Sequence, residues 1–150
     1  MAAFIGIDLG TTYSMVSYLD DTGRPKIIRN SDGQNLTPSC IEFVDNEAQV
    51  GETARKGLGW NKNVVARFKR DMGTETKYKV GDKEYTPTDC SALILKKLLQ
   101  DAQEAIGEIG EAVVTIPANF TNEARTETLT AAKLAGLNVK NIVNEPTAAA

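Results

Sequence analysis

Histidine is absent from this 150-residue sequence, and cysteine occurs only twice, at Cys40 and Cys90. Without histidine, the Ser-His-Asp and Cys-His forms of nucleophilic catalysis are excluded. Zinc sites that use histidine are excluded for the same reason, and two cysteines cannot complete a four-cysteine site. The wide spacing of the two cysteines does not resemble a disulfide framework, so the sequence predicts two free thiols in a reducing compartment.

An excess of basic charge is also missing. Lysine and arginine number 17 against 20 aspartates and glutamates, which gives a net charge of −3. Nucleic-acid-binding proteins and polybasic membrane-surface proteins need the opposite balance, so neither partner is expected. No apolar run approaches the roughly 18 residues that span a bilayer, and the first residues lack the basic segment of a signal peptide. The expected location is therefore the cytoplasm.

The first forty residues show the pattern of a β-meander. Short apolar runs at 4–7, 15–19 and 26–28 are separated by turn signals, which predicts three antiparallel strands. Residues 30–39 are polar and contain Gly33 and Pro38, which is typical of a loop. With 41% hydrophobic and 25% charged residues, the chain has an ordinary globular composition.

The next stretch predicts a mixture of small elements. Apolar runs within 40–50 indicate another strand pair, whereas residues 52–72 indicate two short helices broken around 59–63. Gly81-Asp82 lies between two alternating runs and predicts a two-residue hairpin turn.

A clear amphipathic helix is predicted to begin at Pro87. Its apolar residues repeat at intervals of three and four through the stretch 94–106. Thr88 or Asp89 is the expected cap at its start, and Gly107 the expected end.

The last third of the sequence predicts a strand–helix–strand unit. Residues 112–116 form a continuous apolar strand, Thr121 can cap the following helix, and Gly136 can end it. Residues 139–143 then supply a second strand, parallel to the first. The alanines at 148–150 indicate a helix that the sequence does not continue, so we expect the chain to be part of a longer protein.

A polar turn follows the first strand and is the strongest candidate site by chemistry. Gly10 allows a close backbone approach, while backbone N–H groups and the hydroxyls of Thr11 and Thr12 can face phosphate oxygens. Asp8, at the strand end, can hold Mg²⁺ through water. An ordinary hairpin turn explains the same residues. Neither G-x-x-x-x-G-K-[ST] nor G-x-G-x-x-G occurs, so a P-loop enzyme and a Rossmann dehydrogenase are poorly supported.

Five segments together resemble the 70-kilodalton heat-shock chaperone family, the DnaK-type chaperones. They lie in the family's order at 7–14, 35–39, 68–70, 116–120 and 144–150. The first segment alone is shared loosely with actins and sugar kinases, whereas the ordered set of five is specific.

The resemblance implies an α/β, actin-like ATPase (ribonuclease H-like) fold, of which this chain would be the first lobe. It also implies ATP or ADP and Mg²⁺ as ligands. The roles carried over are Asp8 for Mg²⁺, Gly10, Thr11, Thr12 and Tyr13 for the phosphates, Lys69 for the γ-phosphate and attacking water, and Glu145 for the phosphate and metal side. Pro117 and Arg125 would belong to the surface that couples nucleotide to substrate binding.

Spacing alone favours blander interpretations of three of these residues. Lys69 beside Arg70 is typical of a solvent-facing helix surface, Pro117 of a strand end, and Arg125 of a surface charge. The family resemblance favours functional roles for these three residues over those interpretations.

The domain layout that follows is a core of residues 1–39 and 111–150, with a mixed sheet, and a smaller α+β insertion at 40–110. The implied function is that of an ATP-dependent chaperone, in which ATP hydrolysis controls the binding and release of unfolded peptide clients with the help of co-chaperones. The chain alone is expected to be inactive. The alternatives are another actin-like ATPase, of the sugar-kinase or cytoskeletal type, and a non-enzymatic regulatory relative.

Overall fold

Strands make up most of the regular elements in the computed structural model, which describes residues 2–45, 47–117 and 119–144. The strands are β1 (Ala3–Asp8), β2 (Tyr13–Leu19), β3 (Pro25–Ile28), β4 (Thr37–Pro38), β5 (Cys40–Val44), β6 (Glu47–Val50), β7 (Val64–Ala66), β8 (Tyr78–Val80), β9 (Lys83–Tyr85), β10 (Ile109–Ile116) and β11 (Asn138–Asn144). The α-helices are α1 (Glu52–Lys56), α2 (Pro87–Ile106) and α3 (Asn122–Ala135), and a 3₁₀ helix spans Phe68–Asp71.

The main sheet has the strand order β11-β10-β1-β2-β3, and β4 pairs with the start of β2. β1, β10 and β11 run parallel, while β1, β2 and β3 form an antiparallel meander. The predicted meander and the predicted parallel strand–helix–strand unit are therefore both confirmed. Because parallel strands end at the same edge, the carboxyl ends of β1, β10 and β11 lie side by side, where ligands of open α/β sheets commonly bind.

The long helix α2 supplies much of the core. Ile94, Leu95, Leu98 and Ala102 are at most 1% exposed, which confirms the predicted apolar stripe. Burying each of the larger side chains contributes roughly 1.5–3 kcal/mol to stability before entropy is counted. α2 packs against α3 and also contacts strands of the main sheet. Within the described residues, no helix combines the length and apolar character needed to cross a bilayer.

The start of α2 differs from the prediction, because Thr86 caps the helix rather than Thr88 or Asp89. The Thr86 hydroxyl accepts from the Asp89 amide at 3.0 Å, and the Asp89 carboxylate accepts from the Thr86 amide at 3.0 Å. This reciprocal capping box leaves Pro87 as the first helical residue. The Thr88 hydroxyl is used elsewhere, since it donates to the Glu127 carboxylate on α3.

The prediction of two short helices between residues 52 and 72 is partly confirmed, since α1 and the 3₁₀ helix at Phe68–Asp71 form, but it missed the strand β7 between them. Helix α1 forms, but β7 then pairs with β5 in a small sheet of order β6-β5-β7. The β-branched pair Val64 and Val65 suits a strand, and Val65 is buried opposite Ile41. The predicted β8–β9 hairpin is confirmed, and it joins the small sheet through stacking of Tyr85 on Phe43 at 4.1 Å.

Candidate functional site

Asp8 is the last residue of β1 and lies at the carboxyl edge of the parallel strands. The strand register places it opposite Thr115 of β10, whose hydroxyl donates to Asp8 Oδ1 at 3.0 Å. One carboxylate oxygen is therefore held by the neighbouring strand, which fixes the orientation of the other. We did not predict this role for Thr115 from the sequence, although a hydroxyl at the end of an apolar strand was the available signal.

The turn after β1 is tight because its own backbone crowds Gly10. A Cβ atom at Gly10 would lie 1.9 Å from the Tyr13 carbonyl oxygen, so every other residue type is excluded without rearrangement. The sequence suggested that a glycine here admits a ligand, but the structure gives the closure of the turn as its physical reason.

Some backbone N–H groups of this turn are hydrogen-bonded within the protein, and others are not. The Gly10 N–H donates to Ser14 Oγ at 3.1 Å, so this amide is used within the turn. The amides of Thr11 and Thr12 have no acceptor among the described residues. These two amides, with their hydroxyls, are the groups that can face an anion.

Open space lies beside Tyr13, the residue that follows the turn. A cavity of about 990 Å³ is lined by Tyr13, the loop at 32–36, Pro38 and residues of α1. Its volume is in the range of ligand-binding clefts. Its lining includes Tyr13 but not Asp8, Thr11 or Thr12, so the cavity lies beside the start of β2.

Lys69 lies in the 3₁₀ helix and is only 5% exposed, so the solvent-facing position that its spacing indicated is wrong. The preceding Phe68 is 1% exposed and anchors this short segment in the core. Arg67 enters the segment in the left-handed region, with φ 59°. Such burial is unusual for a lysine, so Lys69 is a candidate site residue rather than a solubilising surface charge.

Contacts tie Lys69 to the end of β10. Its Nζ lies 5.8 Å from the centroid of the Phe120 ring, within reach of a cation–π interaction. The Phe120 amide in turn donates to the Pro117 carbonyl oxygen at 3.2 Å, and Pro117 directly follows β10. Gly73 packs against the start of α3, where a Cβ would lie 2.7 Å from the Ala124 nitrogen. Lys69 is thereby linked to the sheet edge that carries Asp8.

The remaining predicted residues are placed as follows. Arg125 lies in the first turn of α3, half-buried, after the Thr121 cap whose hydroxyl accepts from the Ala124 amide at 3.1 Å. This confirms the predicted cap of α3. β11 ends at the same sheet edge as Asp8, and Glu145 follows it outside the described residues.

Asp8 is chemically suited to Mg²⁺, which prefers hard oxygen ligands and keeps several waters. Among the described residues, no group of three or more acidic, cysteine or histidine side chains could form an all-protein metal cage. Asp8 could therefore hold a cation at this edge only together with water or with oxygens from outside the described residues.

Comparison with known proteins places the whole site in a family. Residues 4–80 and 74–150 match the Hsp70 protein family. The chaperone protein DnaK of Mycoplasma mobile is 48% identical over 147 residues, which cover 97% of this chain and 24% of that protein. The chain thus spans about a quarter of the length of this relative. Because the two family matches together run from residue 4 to residue 150, the chain belongs to the Hsp70 family.

Proposed function

We propose that this chain forms the phosphate- and Mg²⁺-binding side of an ATPase site in an ATP-dependent chaperone. The observation that carries the proposal is the link between Asp8, the turn that follows it, and the buried Lys69 through the end of β10. Family membership and the DnaK relative support the chaperone context. They do not favour a sugar kinase or a cytoskeletal ATPase, and the presence of Asp8 and Lys69 argues against a non-enzymatic relative.

In this proposal each residue acts on ATP by position and charge. The Thr11 and Thr12 amides bind phosphate oxygens, Tyr13 borders them, and Asp8 holds the hydrated metal. Bound Mg²⁺ neutralises charge on the phosphates. The Lys69 ammonium stabilises charge that develops on the γ-phosphate and orients the attacking water, which suits a reaction that depends on positioning and electrostatics. We place Glu145 on the phosphate and metal side, as the family resemblance implies.

The metal role of Asp8 can be tested in the full-length protein by measuring phosphate release against Mg²⁺ concentration. Asp8→Asn should raise the Mg²⁺ concentration needed for half-maximal activity at least tenfold, since the neutral amide attracts the cation less strongly. Asp82→Asn is the matched control, because Asp82 is exposed in the hairpin turn. An unchanged Mg²⁺ dependence in Asp8→Asn would exclude the metal role.

We further propose that Pro117 and Arg125 couple nucleotide hydrolysis to the binding of unfolded peptide clients. Arg125→Ala should lower peptide stimulation of ATP hydrolysis more than the unstimulated rate. Lys133→Ala, an exposed charge in the last turn of the same helix, is the control. Equal losses of stimulated and unstimulated rates in Arg125→Ala would refute coupling. We propose in addition that the full-length protein acts with co-chaperones and is located in the cytoplasm.

The chain by itself is proposed to fold without hydrolysing ATP. The candidate groups of this site are proposed to bind phosphate and metal, and we assign none of those among the described residues to adenosine. With one side of the site open, charges are screened by water and positioning is lost. Calorimetry with Mg-ATP should give far weaker binding to this chain than to the full-length protein. Tight binding and measurable phosphate release by the monomeric chain would contradict this.

The domain layout remains part of the proposal. Residues 1–39 and 111–150 would form the core subdomain, and residues 40–110 the inserted one. Hydrogen exchange at increasing urea concentration tests it, because amides within 40–110 should lose protection together, at a lower urea concentration than the paired core strands β1 and β10. Loss of protection in both segments at the same urea concentration would contradict the layout.

A further inference from the structure

Two serines buried beneath the phosphate turn have no role in the function proposed so far. Ser14 and Ser39 are each only 1% exposed, and their hydroxyl oxygens lie 2.8 Å apart. Ser14 begins the buried part of β2, whereas Ser39 follows β4, so the pair joins segments 25 residues apart. Buried hydroxyls cost free energy unless they are hydrogen-bonded, which makes their bonding pattern informative.

The direction of each bond follows from the fact that a hydroxyl has one proton. Ser39 Oγ donates its proton to the Gly10 carbonyl oxygen at 2.9 Å, so the bond between the two serines must be donated by Ser14. Ser14 Oγ accepts the Gly10 N–H at 3.1 Å. The result is a closed ring from the Gly10 amide through Ser14 and Ser39 back to the Gly10 carbonyl.

Ser39 holds a second carbonyl of the same turn. Its backbone N–H donates to the Thr12 carbonyl oxygen at 2.8 Å. One residue therefore binds the carbonyls of both Gly10 and Thr12, which carry the negative ends of the peptide dipoles. The Gly10 carbonyl shares its peptide unit with the Thr11 amide, which keeps no acceptor within the described part of the chain, and the Thr12 carbonyl shares its unit with the Tyr13 amide.

We infer that Ser39 is a positioning residue for nucleotide phosphates, acting through the turn, with Ser14 as its partner. By holding the Gly10 and Thr12 carbonyls against the protein, Ser39 prevents their negative ends from turning toward the triphosphate. The Gly10–Thr11 peptide plane is thereby fixed with the Thr11 N–H available to an anion, as in other backbone anion sites. This inference rests on the proposed function, because it assumes that the turn binds ATP phosphates.

Removal of the Ser39 hydroxyl tests the inference in the full-length protein. In Ser39→Ala the Gly10 carbonyl loses its donor, and the affinity for ATP should fall about tenfold. The affinity for adenosine, which has no phosphates, should be unchanged. A merely structural role would lower both affinities together, so the ratio of the two dissociation constants is the decisive readout.

Further variants keep the test interpretable. Ser14→Ala should weaken ATP binding in the same selective way, and Ser14→Ala combined with Ser39→Ala should be less than additive, because both belong to one ring. Ser31→Ala is the control, since its hydroxyl bonds Lys97 outside the ring. A urea denaturation curve for each variant identifies any that do not fold. If Ser39→Ala does not fold, Ser14→Ala is used for the comparison of ATP and adenosine affinities instead.

The outcomes separate the inference from the proposed function. If the unsubstituted protein binds no ATP, the proposed function fails. If it binds ATP and Ser39→Ala binds ATP equally well, or loses ATP and adenosine affinity in parallel, the positioning role is overturned. Selective loss of ATP affinity with sub-additivity in the double variant supports it.

Discussion

Thr115 Oγ1 donates a 3.0 Å hydrogen bond to Asp8 Oδ1 although the two residues are 107 positions apart in sequence. The parallel register of β1 and β10 places them opposite each other at the carboxyl ends of both strands. This bond connects the first strand of the meander to the strand–helix–strand unit at the proposed metal position. The orientation of Asp8 therefore depends on correct assembly of the sheet.

Replacing Thr115 by valine should separate metal positioning from stability. Thr115→Val keeps the shape of the side chain and removes one hydrogen bond, so the free energy of unfolding should fall by only about 1 kcal/mol. In the full-length protein, the Mg²⁺ concentration for half-maximal ATP hydrolysis should rise several-fold because Asp8 is less constrained. Thr130→Val, which removes an exposed helix hydroxyl, is the control. A Mg²⁺ dependence equal to that of the control would refute the role of Thr115.

Gly73 should be far less replaceable than Gly81, although both have positive φ. Gly81→Ala meets no atom within 4 Å, so only its φ of 60° is strained, at a cost of about 1 kcal/mol. Gly73→Ala adds a 2.7 Å contact with the backbone of Ala124, and it should cost roughly 2–4 kcal/mol. Urea denaturation measures both. Equal losses would show that the contact between Gly73 and α3 is unimportant.

The two thiols should be unreactive in the folded chain. Burial raises the pKa of the Cys90 thiol to about 12, and burial also raises the pKa of Cys40. Since the thiolate is the reactive form, iodoacetamide at pH 8 should modify both cysteines slowly in buffer and rapidly in urea. Fast modification of either cysteine in the folded chain, followed by mass spectrometry, would contradict their burial.

Asp101 should make stability depend on pH. Its side chain is 3% exposed, Oδ1 accepts from Lys97 Nζ at 3.0 Å, and Oδ2 has no partner within the described residues. Burial raises the pKa of this carboxyl above its ordinary value of 3.8, and Lys97 opposes the change. The folded state thus binds the proton of Asp101 more tightly than the unfolded state does. The contribution of Asp101 to the free energy of unfolding is therefore greatest below pH 3.8 and is lost as the pH rises through the raised pKa.

Asp101→Asn removes this titration and gives the test. Relative to the variant, the unsubstituted chain should lose stability in urea denaturation as the pH is raised from about 4 to about 7. A stability difference that stays constant, or that moves in favour of the unsubstituted chain, would contradict a raised pKa at Asp101.

Hydrophobic periodicity and turn residues predicted much of the main sheet. The apolar runs and turn signals within 4–28 predicted the meander, and the apolar stripe at 94–106 predicted α2. Thr121 and Gly136 predicted the two ends of α3. The Hsp70 match confirms the family resemblance and the actin-like ATPase fold. These predictions are correct because their signals are local: helix caps, hydrophobic periods and strand lengths each depend on residues that are close together in sequence.

The errors concern residues whose position depends on distant partners. β7 is a strand because it pairs with the free edge of β5. The sequence of residues 64–66 does not show that this edge is available to them. Lys69 is buried because Phe68 anchors its segment and Phe120 covers its ammonium, contacts that its charged neighbours do not reveal. The pairing of Ser14 with Ser39 depends on β4 joining β2, which the polarity of the loop concealed.

Single-turnover hydrolysis by a Lys69→Ala variant tests the central claim most directly. In the full-length protein, ATP is bound first and its affinity measured, and cleavage of the bound ATP is then followed with time. Because Lys69 stabilises charge that develops in the transition state, cleavage should be abolished while ATP binding stays measurable. Lys79→Ala, which removes an exposed charge from the hairpin, should cleave ATP normally. Near-normal cleavage by Lys69→Ala would contradict the assignment of this site as the catalytic side of an ATPase.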